Sequence, residues 1–163
     1  MIGPASPGRR LVAVVVFAAA MGWLEGVVVV YIRALLGIAV PEGYGTAAEI
    51  LARMRSIPWL MPAEQSREVA TIAMLAAVGF LCADRGRARF GAFLICFGIW
   101  DITYYVALYS ILRWPPSLAT MDVLFLIPPG PWWHQPVWVP VAISCVMIGL
   151  GARLFLSKDR LPR

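Results

Sequence analysis

Histidine, cysteine and charge are all scarce in this chain. His134 is the one histidine in 163 residues. A bis-histidine haem cannot be assembled within the chain. A mono-histidine haem fits poorly with a ring set in the Pro-rich stretch Trp132-Trp133-His134-Gln135-Pro136. That histidine reads instead as an interfacial side chain with an apolar body and a wet tip. The three cysteines, Cys82, Cys96 and Cys145, are scattered singly through apolar sequence. Disulfide and zinc frameworks need clustered spacing, so the three read as small buried hydrophobes. Charged residues are 14% of the chain, against about 25% in a soluble domain.

Several motifs are missing as well. There is no Gly-rich phosphate loop of the Walker or dinucleotide type. No Gly-x-Ser-x-Gly or Cys–His nucleophile arrangement occurs, and no helical Glu-x-x-His accompanies the carboxylates as a di-iron site requires. No cofactor and no metal is therefore expected. The net charge of +5 comes without a recognition helix, zinc knuckle or basic–aromatic stripe, which argues against nucleic acid.

What the chain does have is apolar length. It is 61% hydrophobic with a mean hydropathy of +0.78. Stretches 11–36, 62–83, 90–112 and 137–156 each approach or exceed the roughly 20 residues needed to cross a hydrocarbon core. The first could pass for a signal peptide behind Arg9 and Arg10, but it continues well past signal-peptide length. The expected fold is all-α: one domain, an integral membrane antiparallel four-helix bundle with an external interfacial helix and a short re-entrant segment.

Orientation follows from charge. Arg9, Arg10, Arg85, Arg87, Arg89, Arg153, Lys158, Arg160 and Arg163 fall on one side. Arg33, Arg53, Arg55, Arg67 and Arg113 fall on the other, diluted by Glu42, Glu49, Glu64, Glu68 and Asp122. The positive-inside rule puts both termini in the cytoplasm, in the inner (plasma) membrane of a cell. The tight Asp84–Arg89 turn dictates that spans two and three are antiparallel.

The outer loops carry their own signals. Thr46-Ala47-Ala48-Glu49 is a capping-box pattern. Ile50, Leu51, Met54 and Ile57 follow at helical spacing until Pro58, as in an interfacial helix. Pro62 suits the first turn of span two. Further on, 121–127 is apolar but too short to cross. Pro128, Pro129 and Pro131 follow it, with Trp132 and Trp133 suited to the interface. A short helix dipping into the outer leaflet and an ordered loop packed on the bundle both fit. The stretches Trp100-Asp101-x-x-Tyr104-Tyr105 and Leu126-Ile127-Pro128-Pro129 resemble those of bacterial membrane proteins without a characterised activity, and the resemblance implies none.

Two carboxylates interrupt the spans, Glu25 in the first and Asp101 in the third. An ionisable group near mid-bilayer costs roughly 2.5–3.5 kcal/mol, so it usually has a partner or a task. At about 1.5 Å per residue, Glu25 is about 21 Å from the cytoplasmic start of its span and Asp101 about 16 Å from that of its own. Asp101, Tyr104 and Tyr105 share a helix face. Gly22 and Gly26, flanking Glu25, read as permission for close helix packing.

The candidate site is therefore Glu25, Tyr31, Arg33, Glu68, Asp101, Tyr104, Tyr105, Arg113 and Asp122, all in the outer half or at its mouth. A polar clamp, with Asp101 paired to Arg33 or to a tyrosine, explains the same residues structurally, at an average of about 0.6 kcal/mol per contact. Three functional readings stay open. One is a site binding a small molecule, lipid-like ligand or ion. Another is an accessory or anchoring subunit of a larger membrane complex, or a homo-oligomer. The third is a small intramembrane enzyme using Asp101 and Glu25 as acid and base.

Overall fold

A computed structural model describes residues 6–38 and 46–157. Glu42, Lys158, Arg160 and Arg163, which entered the charge argument, lie outside the described residues. The chain is mostly helical. Helix α1, Pro7–Leu35, starts where the Ser6 hydroxyl accepts from the Arg9 N–H at 3.4 Å and a proline occupies the first turn. Both features suit a helix N-terminus, where the first N–H groups lack helical acceptors.

Helix α2, Ala47–Ser56, opens on the capping box expected from sequence. The Glu49 carboxylate accepts from Thr46 N–H at 2.6 Å, and Thr46 Oγ1 accepts from Glu49 N–H at 3.3 Å. The Thr46 backbone N–H, with the Thr46 side chain, holds the Glu49 carboxyl below its ordinary value. Buried Leu36, Ile38, Met54 and Leu60 pin α2 between the end of α1 and the start of α3, and Arg53 donates to the Leu36 carbonyl at 2.8 Å.

Helices α3, Leu60–Leu81, α4, Gly86–Leu112, and α5, Trp138–Leu156, complete the set of long elements. By length and composition α1, α4 and α5 can each cross a membrane. The fourth expected span, 62–83, is present as α3, but its first half carries Glu64, Arg67 and Glu68. That charge keeps it out of the three crossing candidates.

Helix α4 is the hub, packing on α1, α3 and α5. Glycines set how closely the helices approach. A methyl group at Gly26 would sit 2.6 Å from Ala107 Cβ, and one at Gly98 would sit 2.6 Å from the Ser144 carbonyl oxygen. Both are inside any real carbon contact, so these helices meet backbone to backbone, as small residues allow in membranes. The same contacts fix the register. Gly22 and Gly26 meet Trp100 and Ala107 in rising order, so α1 and α4 run parallel. Gly91 and Gly98 meet Gly151 and Ser144 in falling order, so α4 and α5 run antiparallel.

Beyond α4 the chain turns at Arg113, a left-handed residue with φ 57°, and buries Trp114 beside Tyr105, Leu108 and Val137. Strand β1, Met121–Val123, then pairs antiparallel with β2, His134–Pro136, with Asp122 opposite Gln135. The dipping helix that the apolar 121–127 run suggested does not form. Pro128, Pro129 and Pro131 lack the N–H groups a helix needs there, and the segment takes the other expected form, a loop packed on the helices. Phe125 lies against Phe97 and Trp133, at ring-centroid distances of 6.4 and 5.0 Å, and Leu124 N–H donates to the Trp133 carbonyl at 3.0 Å.

Candidate functional site

Helices α1, α3, α4 and α5 diverge around a half-open cavity of about 390 Å³, covered by α2 and the β1–β2 loop. Seven of the nine expected residues line it: Glu25, Arg33, Glu68, Asp101, Tyr104, Tyr105 and Asp122. Tyr31 and Arg113 do not. Tyr31 points outward, 68% exposed. Arg113 is exposed at the end of α4, over the ring of Tyr109. Depth along a helix put these two at the right level, but their faces are wrong.

The polar groups fall into separate clusters. At the α1–α3 wall, the Arg67 guanidinium is spent on two carboxylates. Its Nη1 pairs with Glu25, while Nε and Nη2 donate to Glu64 Oε2 at 2.9 and 2.7 Å. Thr71 adds a donor to Glu25 at 3.3 Å. One helical turn along, both oxygens of Glu68 accept from Leu126 N–H, at 2.9 and 3.0 Å, which ties the loop to α3. At the α4–α5 wall, the Ser144 hydroxyl donates to Asp101 at 2.8 Å. The expected Asp101–Arg33 pair is not made, and Glu25 finds its cation on α3 rather than on α1.

Near the loop, the Tyr105 hydroxyl donates to Asp122 at 3.0 Å. Burial pushes the Asp122 carboxyl above its ordinary value, and the charge of Arg33 and the Tyr105 hydrogen bond offset part of that. Arg33 itself is 4% exposed. Its guanidinium carbon lies over Trp114, 3.8 Å from the ring centroid, and its Nη1 has no hydrogen-bond partner.

Glu64, Arg67, Thr71 and Ser144 were not among the expected site residues. A signal for three of them exists. Glu64, Arg67, Glu68 and Thr71 recur at i, i+3, i+4 and i+7, a polar stripe on one face of an otherwise apolar helix. Ser144 gives no such signal, because a lone serine in α5 is ordinary.

The cavity also has a direction. Counting along α4 from Phe93 and Phe97 to Asp101, Tyr104 and Tyr105, one face passes from apolar to polar over about 18 Å. Ile72 of α3 and Met147 of α5 line the cavity too, adding apolar surface from the other walls. Five carboxylates, Glu25, Glu64, Glu68, Asp101 and Asp122, stand against two guanidiniums, Arg33 and Arg67. Among the described residues, no cluster of His, Cys, Asp and Glu is arranged to hold a metal ion. The chain matches no protein-family model, and no curated protein or solved structure shows a significant similarity to it.

Proposed function

We propose that this is an integral membrane protein whose cavity, in the outer half of the bilayer, binds a small lipid-like amphiphile. The observation that carries the reading is the lengthwise change from apolar to polar along the cavity. An amphiphile matches it, with its tail against Phe93, Phe97, Ile72 and Met147 and its head among the carboxylates and arginines. Ligand pockets are typically apolar with a few placed polar groups, and about 300–1,000 Å³ in volume.

In this reading α1, α3, α4 and α5 form a four-helix bundle that crosses the membrane in alternating directions, with both termini cytoplasmic and α2 on the outer surface. Two observations support counting α3 as a crossing. It exposes large apolar side chains, Val69, Met74, Phe80 and Leu81, on its outward surface. Its charged residues turn inward, where Glu64 and Glu68 are buried. Contiguous apolar exposure of that kind marks contact with lipid or another protein. The arginines of the 85–89 turn lie at the opposite end of α4 from the cavity's polar cluster. That is the cytoplasmic side under the positive-inside rule.

The test uses the full chain in phosphatidylcholine nanodiscs. Binding of decyl-chain amphiphiles with anionic, neutral and cationic heads is read by tryptophan fluorescence, since Trp100 and Trp133 line the cavity. Ile72→Trp and Met147→Trp fill the apolar end and should weaken binding at least tenfold. The reading fails if no head group gives saturable binding, or if the filling variants bind as wild type does.

A further inference from the structure

Hydrogen-bond accounting separates the two arginines of the cavity. Each nitrogen of Arg67 faces a carboxylate, Nη1 in an ion pair with Glu25 and Nε and Nη2 on Glu64. Arg33 differs. It is 96% buried and held over the Trp114 ring, yet Nη1 has no acceptor among the described residues. The nearby carboxylate, Asp122, already accepts from Tyr105 and forms no ion pair with Arg33 among the described residues. Trp100 is also buried beside the cavity with an unpartnered indole N–H, but it meets Gly22, eleven residues or about 16 Å along α1 from Arg33.

Each of the five carboxylates, by contrast, already accepts at least one hydrogen bond or ion pair. What Arg33 Nη1 lacks is an acceptor within reach. Leaving a buried donor unmet costs about 1–3 kcal/mol, and more for a charged one. A guanidinium presents its N–H groups in a fixed planar fork that suits oxyanions. Burial over the Trp114 ring holds the guanidinium in place beforehand, so little side-chain freedom is lost on binding.

We infer that Arg33 is the anchor for an oxyanion head group, a carboxylate, phosphate or sulfonate, carried on the apolar body of the ligand. This rests on the amphiphile reading above and names the class of its head group. The negative excess of the site does not bar the anion from the Arg33 end. Glu25 is two turns away along α1, about 12 Å, and both it and Glu64 are screened by Arg67; Asp122, the carboxylate near Arg33, accepts from Tyr105 and is pushed toward its neutral form by burial.

The experiment compares decanesulfonate, decyl phosphate, decanol and decyltrimethylammonium on the protein in phosphatidylcholine nanodiscs, with inorganic phosphate and methanesulfonate as the free anions. Decanesulfonate and decyl phosphate should bind tighter than decanol and decyltrimethylammonium. Saturable binding of the free anions at similar concentrations would assign the site to a soluble oxyanion and overturn the amphiphile half of the claim.

Arg33→Gln should weaken decanesulfonate by about tenfold to a hundredfold, the worth of a charge-assisted hydrogen bond, and leave decanol unchanged. Arg33→Lys should recover part of the loss. Trp114→Phe keeps an aromatic ring but weakens the seat of the Arg33 guanidinium. It supplies an independent arm, a several-fold loss, should Arg33→Gln fail to fold. Tighter binding of decyltrimethylammonium than of decanesulfonate overturns the inference and leaves the amphiphile reading standing. So do anion affinities within about twofold of wild type in every folded variant. No binding by any head group overturns both.

Discussion

Replacing Arg67 with methionine tests whether the α1–α3 wall is held by charge pairing. Arg67 spans the two helices, reaching Glu25 on α1 and Glu64 on α3. Both carboxylates are buried, at 5% and 7% exposure. If each contact were an ordinary interhelical hydrogen bond in a membrane, losing it would cost about 0.6 kcal/mol. Most of the damage comes instead from what the substitution leaves behind. Removing one partner of a buried ion pair strands the other, at about 3–5 kcal/mol, and here two carboxylates are stranded with only Thr71 as a remaining donor to Glu25.

Arg67→Met should therefore shift the folding equilibrium a hundredfold or more toward the unfolded state, by the conversion of about 1.36 kcal/mol per decade. A reversible SDS titration in mixed micelles, followed by circular dichroism, measures this. The triple variant with Glu25→Gln and Glu64→Gln removes the stranded charge, since methionine and two amides carry none. It should recover more than half of the loss. A single-variant loss below about 1 kcal/mol, under the range for a stranded buried charge, refutes charge pairing as what holds the wall. So does a triple variant no more stable than Arg67→Met.

Other outcomes follow from the same geometry. Tyr105→Phe leaves Asp122 without its hydroxyl donor and should cost about 1–3 kcal/mol, seen as faster amide exchange in β1 and β2. Gly26→Leu drives a side chain into Ala107 and should separate α1 from α4 at about 1–3 kcal/mol or more, measured by the same SDS titration. Thr46→Ala removes half of the capping box and should destabilise α2 by about 1 kcal/mol, read from exchange of the α2 amides.

The wild-type α2 has a pH dependence of fixed sign. The Glu49 carboxyl is held below its ordinary value by Thr46. Its contribution is full above the unfolded carboxylate value, about 4.3, and is lost as the pH falls through the lower folded value. Exchange protection in α2 that is unchanged across that window would contradict the cap.

Much of the local structure is legible in the residue order. Thr46 and Glu49 announce α2 because a capping box needs only a spacing of three. Ser6 and Pro7 start α1 for similarly local reasons. The loop at 121–136 is ambiguous in sequence, because an apolar run before a Pro-rich stretch suits both a dipping helix and a packed loop. The ladder between β1 and β2 decides for the loop, and it involves partners more than ten residues apart. Tyr31 and Arg113 fall outside the cavity because counting residues gives depth along a helix, while facing depends on how each helix is rotated against its neighbours.

The sequence by itself determined that the chain is apolar, helical and interrupted by carboxylates at matching depths, since length, periodicity and the cost of burying charge are properties of single segments. Only the tertiary structure decided the pairings: Glu25 with Arg67, Asp101 with Ser144, Asp122 with Tyr105, and Arg33 left open over Trp114. Those depend on helix rotation and separation. Backbone contacts at Gly22, Gly26, Gly91 and Gly98 set both, and a contact between helices is a property of two surfaces together.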